Sequence, residues 1–587
     1  MKSTNFINNY KKNLDASFWD RDNKFLYGAL LFVGSVVIFY KLYDYGLAVY
    51  DEGFIVTGAQ EILRGRIIYK DFFKEYTPGN FMLPALLFKL FGTNILIERF
   101  VMIFVRATSV LLLYLLCSRL SKGFIVFIPP IMLLLAPGPW HKSFIPFFTL
   151  LDLYFFCRFI DNLNYYRVIV LGFLTAATIF FRQDIGAFFI VTVLVSIISI
   201  PEIKKMARFS IMRLVIVYLF SILFFFTPVI YYFLNKGALN DFINDCFISS
   251  WDVRIQTKKF PFPRFDFISF NQGMSGFFYY IPIIFFFIIL CYIIATRDKE
   301  NRKILLPITV MGLFSFVDIY EAPDHSHLLQ LSTPTYLLGA FISDKIYNNK
   351  FIYGVAKGTT GLILLFLPCY FILSLLCSPL ATNIYSPTPM LLFSKSQKLA
   401  NPRAPVFLPV NEADAIEKTV NFIKTHFRKN EPVFVIPPSY ILSFLSGREN
   451  YSSSDFFFSS EFLSQEKKQV LLKRIVNSPP QFIIVDKIRM FQPDNIQKLI
   501  YLRSFYKNYP GMFNFVINNY SVYKIFGEYA VLKFGVNRPS RLFYCGVRSL
   551  IKRKPENAFE KFDEAEHLGL PKGMFDPNKL FTEPLCE

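Results

Sequence analysis

The chain is poor in charge for its length. Of 587 residues, only 18% are Asp, Glu, Lys or Arg against 53% hydrophobic, a balance that a soluble protein of this size does not show. Its eight Cys, at 117, 157, 246, 291, 369, 377, 545 and 586, form no C-x-x-C pair and no Cys/His cluster. Neither a disulfide framework nor a zinc site is therefore indicated. The C-terminal part has no glycine-rich phosphate loop and no nucleophile elbow, which removes two common enzyme signatures there. No small-residue cleavage site follows the first apolar run, so it reads as a retained helix. No internal repeat of the kind that marks many transporters is visible. The net charge of +20 comes with no nucleic-acid motif, so nucleic acid is not an expected partner. Lys and Arg in short loops between apolar runs explain it better, by setting topology and meeting anionic lipid heads.

What is present is a series of apolar runs, many of roughly twenty residues, from near residue 25 to residue 377. The runs 25–43, 97–116, 124–135, 143–160, 166–181, 185–200, 214–234, 277–295, 304–320, 328–342 and 358–377 predict about eleven spans, within roughly ten to thirteen. The run 124–135 is the weakest, being short and holding Pro129 and Pro130. Basic clusters lie at 1–24, 119–122, 158–167, 204–213, 297–303 and 345–357. If every run crosses, all of them fall on one side, which the positive-inside tendency makes the cytoplasm. The chain then divides into a cytoplasmic N-terminus (1–24), a membrane region (25–377) and an outer-face domain with its tail (378–587). With no retention tag or targeting tract, a bacterial inner membrane is the expected location.

The first outer loop, 44–97, is patterned for helix. After Asp51, residues Phe54, Ile55, Ala59, Ile62 and Leu63 share one helical face, and Gly65 stops the helix. The run 81–91 is too short to span and ends at Gly92. Both helices are expected to lie at the membrane surface or to dip into it. The loop also carries Arg64, Arg66, Lys70, Lys74 and Lys89 against the topological trend, so these charges ask for a reason other than orientation.

Three polar constellations fall on the outer side: Asp51-Glu52, Arg182-Gln183-Asp184 and Asp324-His325-Ser326-His327. Adjacent carboxylates at a membrane helix end are costly against lipid and cheap in a water-filled pocket. The plainer alternatives are a solvated helix cap at Asp51-Glu52 and a local ion pair at Arg182 and Asp184. His325 and His327, two apart, do not share a helix face, which argues against a joint metal site. Carboxylate, cation and imidazole at one membrane surface suit a lipid-linked phosphate substrate. Sugar transfer from a polyprenyl phosphate releases an anion that needs positive charge and hydrogen-bond donors, not a general acid. The acceptor hydroxyl needs a base. Asp51 is the candidate base, or a ligand for a divalent cation such as Mg or Mn, and Glu52 either orients it or takes the metal role. Arg64, Lys70, Lys74, Tyr76, Arg182, Asp184, His325 and His327 are the candidate donor and phosphate contacts.

The ordered set Asp51, Glu52, Gly65, Tyr69, Asp71, Phe72, Pro78, Gly79, Phe88, Phe91, Gly92 and Arg99 resembles the first outer loop of GT-C glycosyltransferases. It is most similar to the group of dolichyl-phosphate-mannose protein mannosyltransferases and aminoarabinose lipid A transferases. The resemblance implies a polytopic α-helical GT-C fold with surface helices in that loop. It also implies that the acidic residue after the first helix, here Asp51 and with it Glu52, is catalytic. Arg182 looks like the family's basic position at the outer end of a middle helix. The implied activity is transfer of a sugar, with inversion, from a polyprenyl-phosphate donor to a hydroxyl of a glycan, lipid or protein, in cell-envelope glycan, lipid or protein glycosylation.

Residues 378–587 read as an α/β soluble domain. Asn411 can cap a helix bearing Ile416, Val420, Ile423 and Phe427 on one face. Strands are expected at 432–436 and 482–485, helices at 461–476 and 494–506, a hairpin built from 513–517 and 520–534, and a helix around 557–568. Competing functions are a lipid-linked oligosaccharide flippase or transporter, a non-catalytic membrane assembly protein, and a polysaccharide polymerase or ligase of another fold.

Overall fold

The computed structural model describes residues 21–347 and 395–568, except 73, 75, 201–202, 204–207, 249–261, 267–269, 272–273, 297, 322, 437–438, 452–464, 487–508 and 552–554. The expected span at 358–377 and the expected helix at 494–506 lie outside the described residues.

Helix α1 (Arg21–Leu42) leads into the loop that holds α2 (Asp51–Leu63) and α3 (Gly79–Phe91), and α4 (Ile95–Leu120) follows. The chain leaves α2 through Gly65 and α3 through Gly92, where φ is +84° and +96°, conformations that glycine takes without a Cβ penalty. The Asn94 side chain caps α4 by accepting from the Leu96 N–H at 2.9 Å. Pro129 and Pro130 supply no N–H groups, and the 124–135 run opens as a 3-10 turn before the short α5 (Ile128–Leu135). Then come α6 (Phe144–Asp161), α7 (Tyr165–Phe181), α8 (Gln183–Ser199), α9 (Arg208–Asn235), α10 (Ile281–Ala295), α11 (Lys299–Glu321), α12 (His325–Leu331) and α13 (Thr333–Tyr347).

Among the described residues, 6 helices are long and apolar enough to cross a membrane: Asn23–Leu42, Ile95–Leu120, Trp140–Asp161, Ser210–Asn235, Gly276–Ala295 and Glu300–Glu321. Shorter apolar helices occupy Gly79–Phe91, Gly123–Leu135, Tyr165–Phe181 and Gln183–Ser199. Residues of α4, α6, α8, α11 and α13, among them Leu113, Leu153, Phe189, Ile308 and Leu337, form one buried core. Phe220, Phe224 and Phe287 point away from it, as side chains facing lipid do. The chain is thus a multi-pass helical membrane protein, and much of its phenylalanine is outward surface.

The C-terminal residues form an α/β unit. A short pair, β1 (Ser396–Lys398) with β2 (Phe407–Pro409), precedes α14 (Val410–His426). A four-stranded sheet follows in the order β3 (Val435–Ile436), β4 (Phe482–Asp486), β6 (Tyr529–Phe534), β5 (Tyr520–Phe526). Its first pair is parallel and the others antiparallel. Between β3 and β4 lie α15 (Tyr440–Ser446) and α16 (Gln465–Asn477). The hairpin expected from 513–517 and 520–534 forms instead within 520–534, between β5 and β6, turning at Gly527 with φ +54°. The 513–517 segment does not form a strand; it lies in α17 (Pro510–Asn519). Pro510 starts that helix, and Met512, Phe513, Val516 and Ile517 bury one helical face, a spacing a five-residue window cannot distinguish from a strand. Two further helices, α18 (Arg538–Ile551) and α19 (Pro555–His567), end the described chain.

This unit is packed onto the first loop. Leu47, Val49, Tyr50, Val56, Ala59 and Phe88 share one apolar core with Ile416, Leu442, Phe444 and Ile484. Gly53 makes the closest approach: a Cβ there would lie 2.7 Å from the Ile441 backbone N. Thr57 Oγ1 donates to the Tyr440 carbonyl at 3.1 Å, and the Tyr50 hydroxyl donates to Asp486. Arg66 pairs with Glu61 and Glu449, each at 2.7 Å, while Arg64 pairs with Glu61 and donates to the Gly447 carbonyl at 3.1 Å. These contacts explain two of the loop cations that run against topology: they face protein partners.

Candidate active site

The site begins with how α2 starts. The Tyr50 side chain makes no cap. Glu52 turns back and accepts from the Ala48 N–H at 2.7 Å. It also receives a two-point contact from Arg99 of α4: Nε to Oε1 at 2.9 Å and Nη2 to Oε2 at 2.7 Å. Arg99 uses its other donors on the carbonyls of Tyr43, Tyr45 and Gly46. Both side chains are buried, Arg99 1% and Glu52 4% exposed. With Glu52 drawn inward, Asp51 is left facing out, its side chain 48% exposed, the open carboxylate of the pair.

Opposite Asp51 lies the turn Trp140–Lys142 that precedes α6. His141 Nε2 is 3.8 Å from Asp51 Oδ2. The imidazole is buried, and among the described residues neither ring nitrogen has a hydrogen-bond partner. Next to it, Lys142 Nζ donates to Ser326 Oγ at 2.8 Å and lies 3.2 Å from His327 Nε2. Asp324 caps α12 by accepting from the His327 N–H at 2.9 Å, and it contacts His327 Nδ1 at 2.7 Å. With the Nδ1 proton on that contact, Nε2 can accept from Lys142. Burial, opposed by the Asp324 carboxylate and reinforced by Lys142 and Arg182, holds the His327 pKa below its usual value.

Arg182 stands at the junction of α7 and α8 and grips Asp184 through Nε to Oδ1 at 3.0 Å and Nη2 to Oδ2. Burial opposes its charge, but Asp184 outweighs burial and holds the guanidinium above its usual value. The Arg182 Cζ lies 5.5 Å from the centre of the Tyr76 ring.

The structure therefore gathers Asp51, Tyr76, Arg182, Asp184 and His327 at one end of the helices. Other expected residues go elsewhere. Glu52 is bound to Arg99, and Arg64 faces the C-terminal unit. Lys70 is exposed and donates to the Lys236 carbonyl at 3.0 Å. Lys74 is buried, donates to the Phe54 carbonyl at 3.0 Å and lies 3.7 Å from the centre of the Phe54 ring. The His325 side chain lies outside the described residues. Sequence reasoning passed over His141 and Lys142. The signal was available: the span parity that puts 182–184 outside also puts the 137–142 turn there. Among the described residues, no group of three or more His, Cys, Asp or Glu is placed to hold a metal ion.

No protein-family model matches the chain, and no curated protein matches it. Solved structures similar to it include ArnT from Cupriavidus metallidurans bound to undecaprenyl phosphate, at 13% identity and TM-score 0.49, covering 86% of this chain and 97% of that chain. The same protein in the apo state aligns at 12% identity and TM-score 0.47, with the same coverage.

The two acids should separate by folding. Glu52→Gln leaves a buried guanidinium without its counter-charge, an expected cost of about 3–5 kcal/mol. It should lower the melting temperature and folded yield in detergent, while Asp51→Asn should melt like wild type. Equal melting of both variants contradicts the assignment. A pH effect is also expected. A His pKa lowered by folding contributes stability above the unfolded value, about 6.5, that is lost as pH falls through the folded one. Melting curves of His327→Gln should fall less steeply than wild type below about pH 6.5.

Proposed function

We propose that the chain is a GT-C type glycosyltransferase that takes a sugar from a polyprenyl-phosphate donor and delivers it to an acceptor hydroxyl. The observation that carries this reading is the exposed Asp51 carboxylate beside the buried Lys142 and His141 and the partly buried Arg182 and His327, at the end of a membrane helix bundle.

The acceptor oxygen attacks the anomeric carbon from the face opposite the phosphate. The hydroxyl proton passes to Asp51 as the new C–O bond forms. The bond between the anomeric carbon and the phosphate oxygen breaks, and its electron pair leaves with the lipid phosphate. Lys142 and Arg182 stabilise that developing charge, acting with most effect where water is excluded. Asp324 and Asp184 hold the two cationic arms in place through His327, Ser326 and a direct ion pair. One base is then enough, in contrast to the paired carboxylates of glycosidases.

A divalent cation at Asp51 is the weaker arrangement. Glu52 is bound to Arg99, so Asp51 is the open carboxylate of the pair, and Lys142 and Arg182 already supply the positive charge. The C-terminal unit shares a core with the first loop, which supports placing it on the same membrane face as the site. An outer-face site in a bacterial inner membrane fits this arrangement, with a glycan, lipid or protein as acceptor.

Purified protein given a panel of polyprenyl-phosphate sugars tests the reading. Asp51→Asn should lower transfer at least 1,000-fold, roughly the loss of a base and its charge. Lys142→Met should mainly lower kcat, by about 100-fold. Wild-type activity should persist in excess EDTA. An Asp51→Asn enzyme of near-normal rate overturns the base assignment, and abolition by EDTA that Mg or Mn restores overturns the metal-independent mechanism.

A further inference from the structure

Helix α4 carries a second arginine two turns below Arg99. Arg106 is 3% exposed, and among the described residues it makes no ion pair. Its Nε donates to Ser143 Oγ at 2.8 Å and its Nη2 to the Gly138 carbonyl at 2.8 Å, so it grips both ends of the turn that carries His141 and Lys142. Its Cζ lies 3.7 Å from the centre of the Trp140 ring, while Arg99 Cζ approaches the same ring at 5.9 Å. Its Nη1 has no hydrogen-bond partner among the described residues. Within the turn, Lys142 N–H donates to the Pro139 carbonyl at 3.3 Å, and Ser143 N–H and Oγ donate to the Trp140 carbonyl at 3.1 and 2.7 Å; from α12, Gln330 donates to the Pro137 carbonyl.

A guanidinium buried inside a membrane helix without an anion is expensive, and an apolar side chain of similar size would fill the space more cheaply. Contact with the Trp140 face offsets part of that cost. What only the charged fork supplies is direction: two N–H groups fixed in one plane, aimed at two points five residues apart.

We propose that Arg106 is a positioning residue, which with Arg99 and the intervening Trp140 sets the distance between the two catalytic loops. Seven residues apart on α4, the two arginines project from nearly the same face. One fixes the 43–52 segment and so the start of α2 with Asp51; the other fixes 138–143 and so His141 and Lys142. Both sides of the 3.8 Å approach of His141 to Asp51 are then tied to one helix. The inference rests on the reading of Asp51 and Lys142 as reaction-site residues.

The test compares wild type with Arg106→Met, Arg106→Lys and Ser143→Ala, each as full-length protein in lipid nanodiscs. Transfer from a polyprenyl-phosphate sugar is measured per folded molecule, and a cryo-EM structure of Arg106→Met is determined. The expected result is a displaced 138–143 turn, with kcat lowered on the order of 100-fold and KM for the donor within about 3-fold. Arg106→Lys, which keeps the cation, should recover part of kcat, and Ser143→Ala should show a smaller loss of the same kind. A folded Arg106→Met with the turn in place and kcat near wild type overturns the inference and leaves the glycosyltransferase reading standing. A wild type that transfers no sugar, alongside a displaced turn in Arg106→Met, overturns that reading and leaves the positioning role standing.

Discussion

The buried contact between Arg99 and Glu52 is the constraint from which the candidate site is built. Two charges taken out of water are tolerable only when their hydrogen-bonding capacity is filled. Arg99 fills its own with Glu52 and the carbonyls of Tyr43, Tyr45 and Gly46. Those carbonyls belong to the segment between α1 and α2, where the backbone leaves one helix and has not begun the next. A single side chain thus turns an irregular stretch into a fixed platform. The direction of Asp51 follows from it, because adjacent residues at a helix start point to different sides.

The rest of the site obeys the same rule at larger scale. Cations are brought in from separate elements, and most are held by a specific partner: Arg182 by Asp184, and Lys142 by Ser326 and His327. Beside these cations stands His141, a buried imidazole whose nitrogens have no hydrogen-bond partner among the described residues. An unsatisfied polar group in such a place is costly unless a ligand completes it. Lys142 and Arg182 are already held by their partners, so under the proposed transfer little rearrangement is needed as charge develops.

Sequence patterning revealed the helical part of this architecture because apolar periodicity and basic loops are local signals. The ends of α2 and α3 followed from Gly65 and Gly92, while the turn at Gly527 inside 520–534 was not read. The count of spans did not transfer directly, since 17-residue helices such as α7 and α8 are too short to stand out by length. Within the site, Asp51, Arg182 and His327 were legible as charges interrupting apolar sequence. Glu52 was not separable from Asp51, because which of two neighbouring acids faces inward is decided by Arg99, 47 positions away. Lys74 looked like a phosphate contact and is instead enclosed by Phe54, Phe81 and Tyr440, a tertiary arrangement with no local signature. The role of the C-terminal unit was hidden for the same reason.

That unit's grip on the first loop has a temporal meaning. Tyr50 and Asp486, joined by a hydrogen bond, are 436 positions apart. A ribosome adds about 5–20 residues per second, so α2 waits for tens of seconds before its packing partner exists. During that interval the Asp51 helix start has Arg99 behind it but no cover on the face that meets Ile441. The growing chain therefore carries Asp51 on an unfinished surface, and ordering is completed only when the 435–534 sheet has been made and has closed the core. A late-made part of the described chain finishes the first-made part of its candidate site.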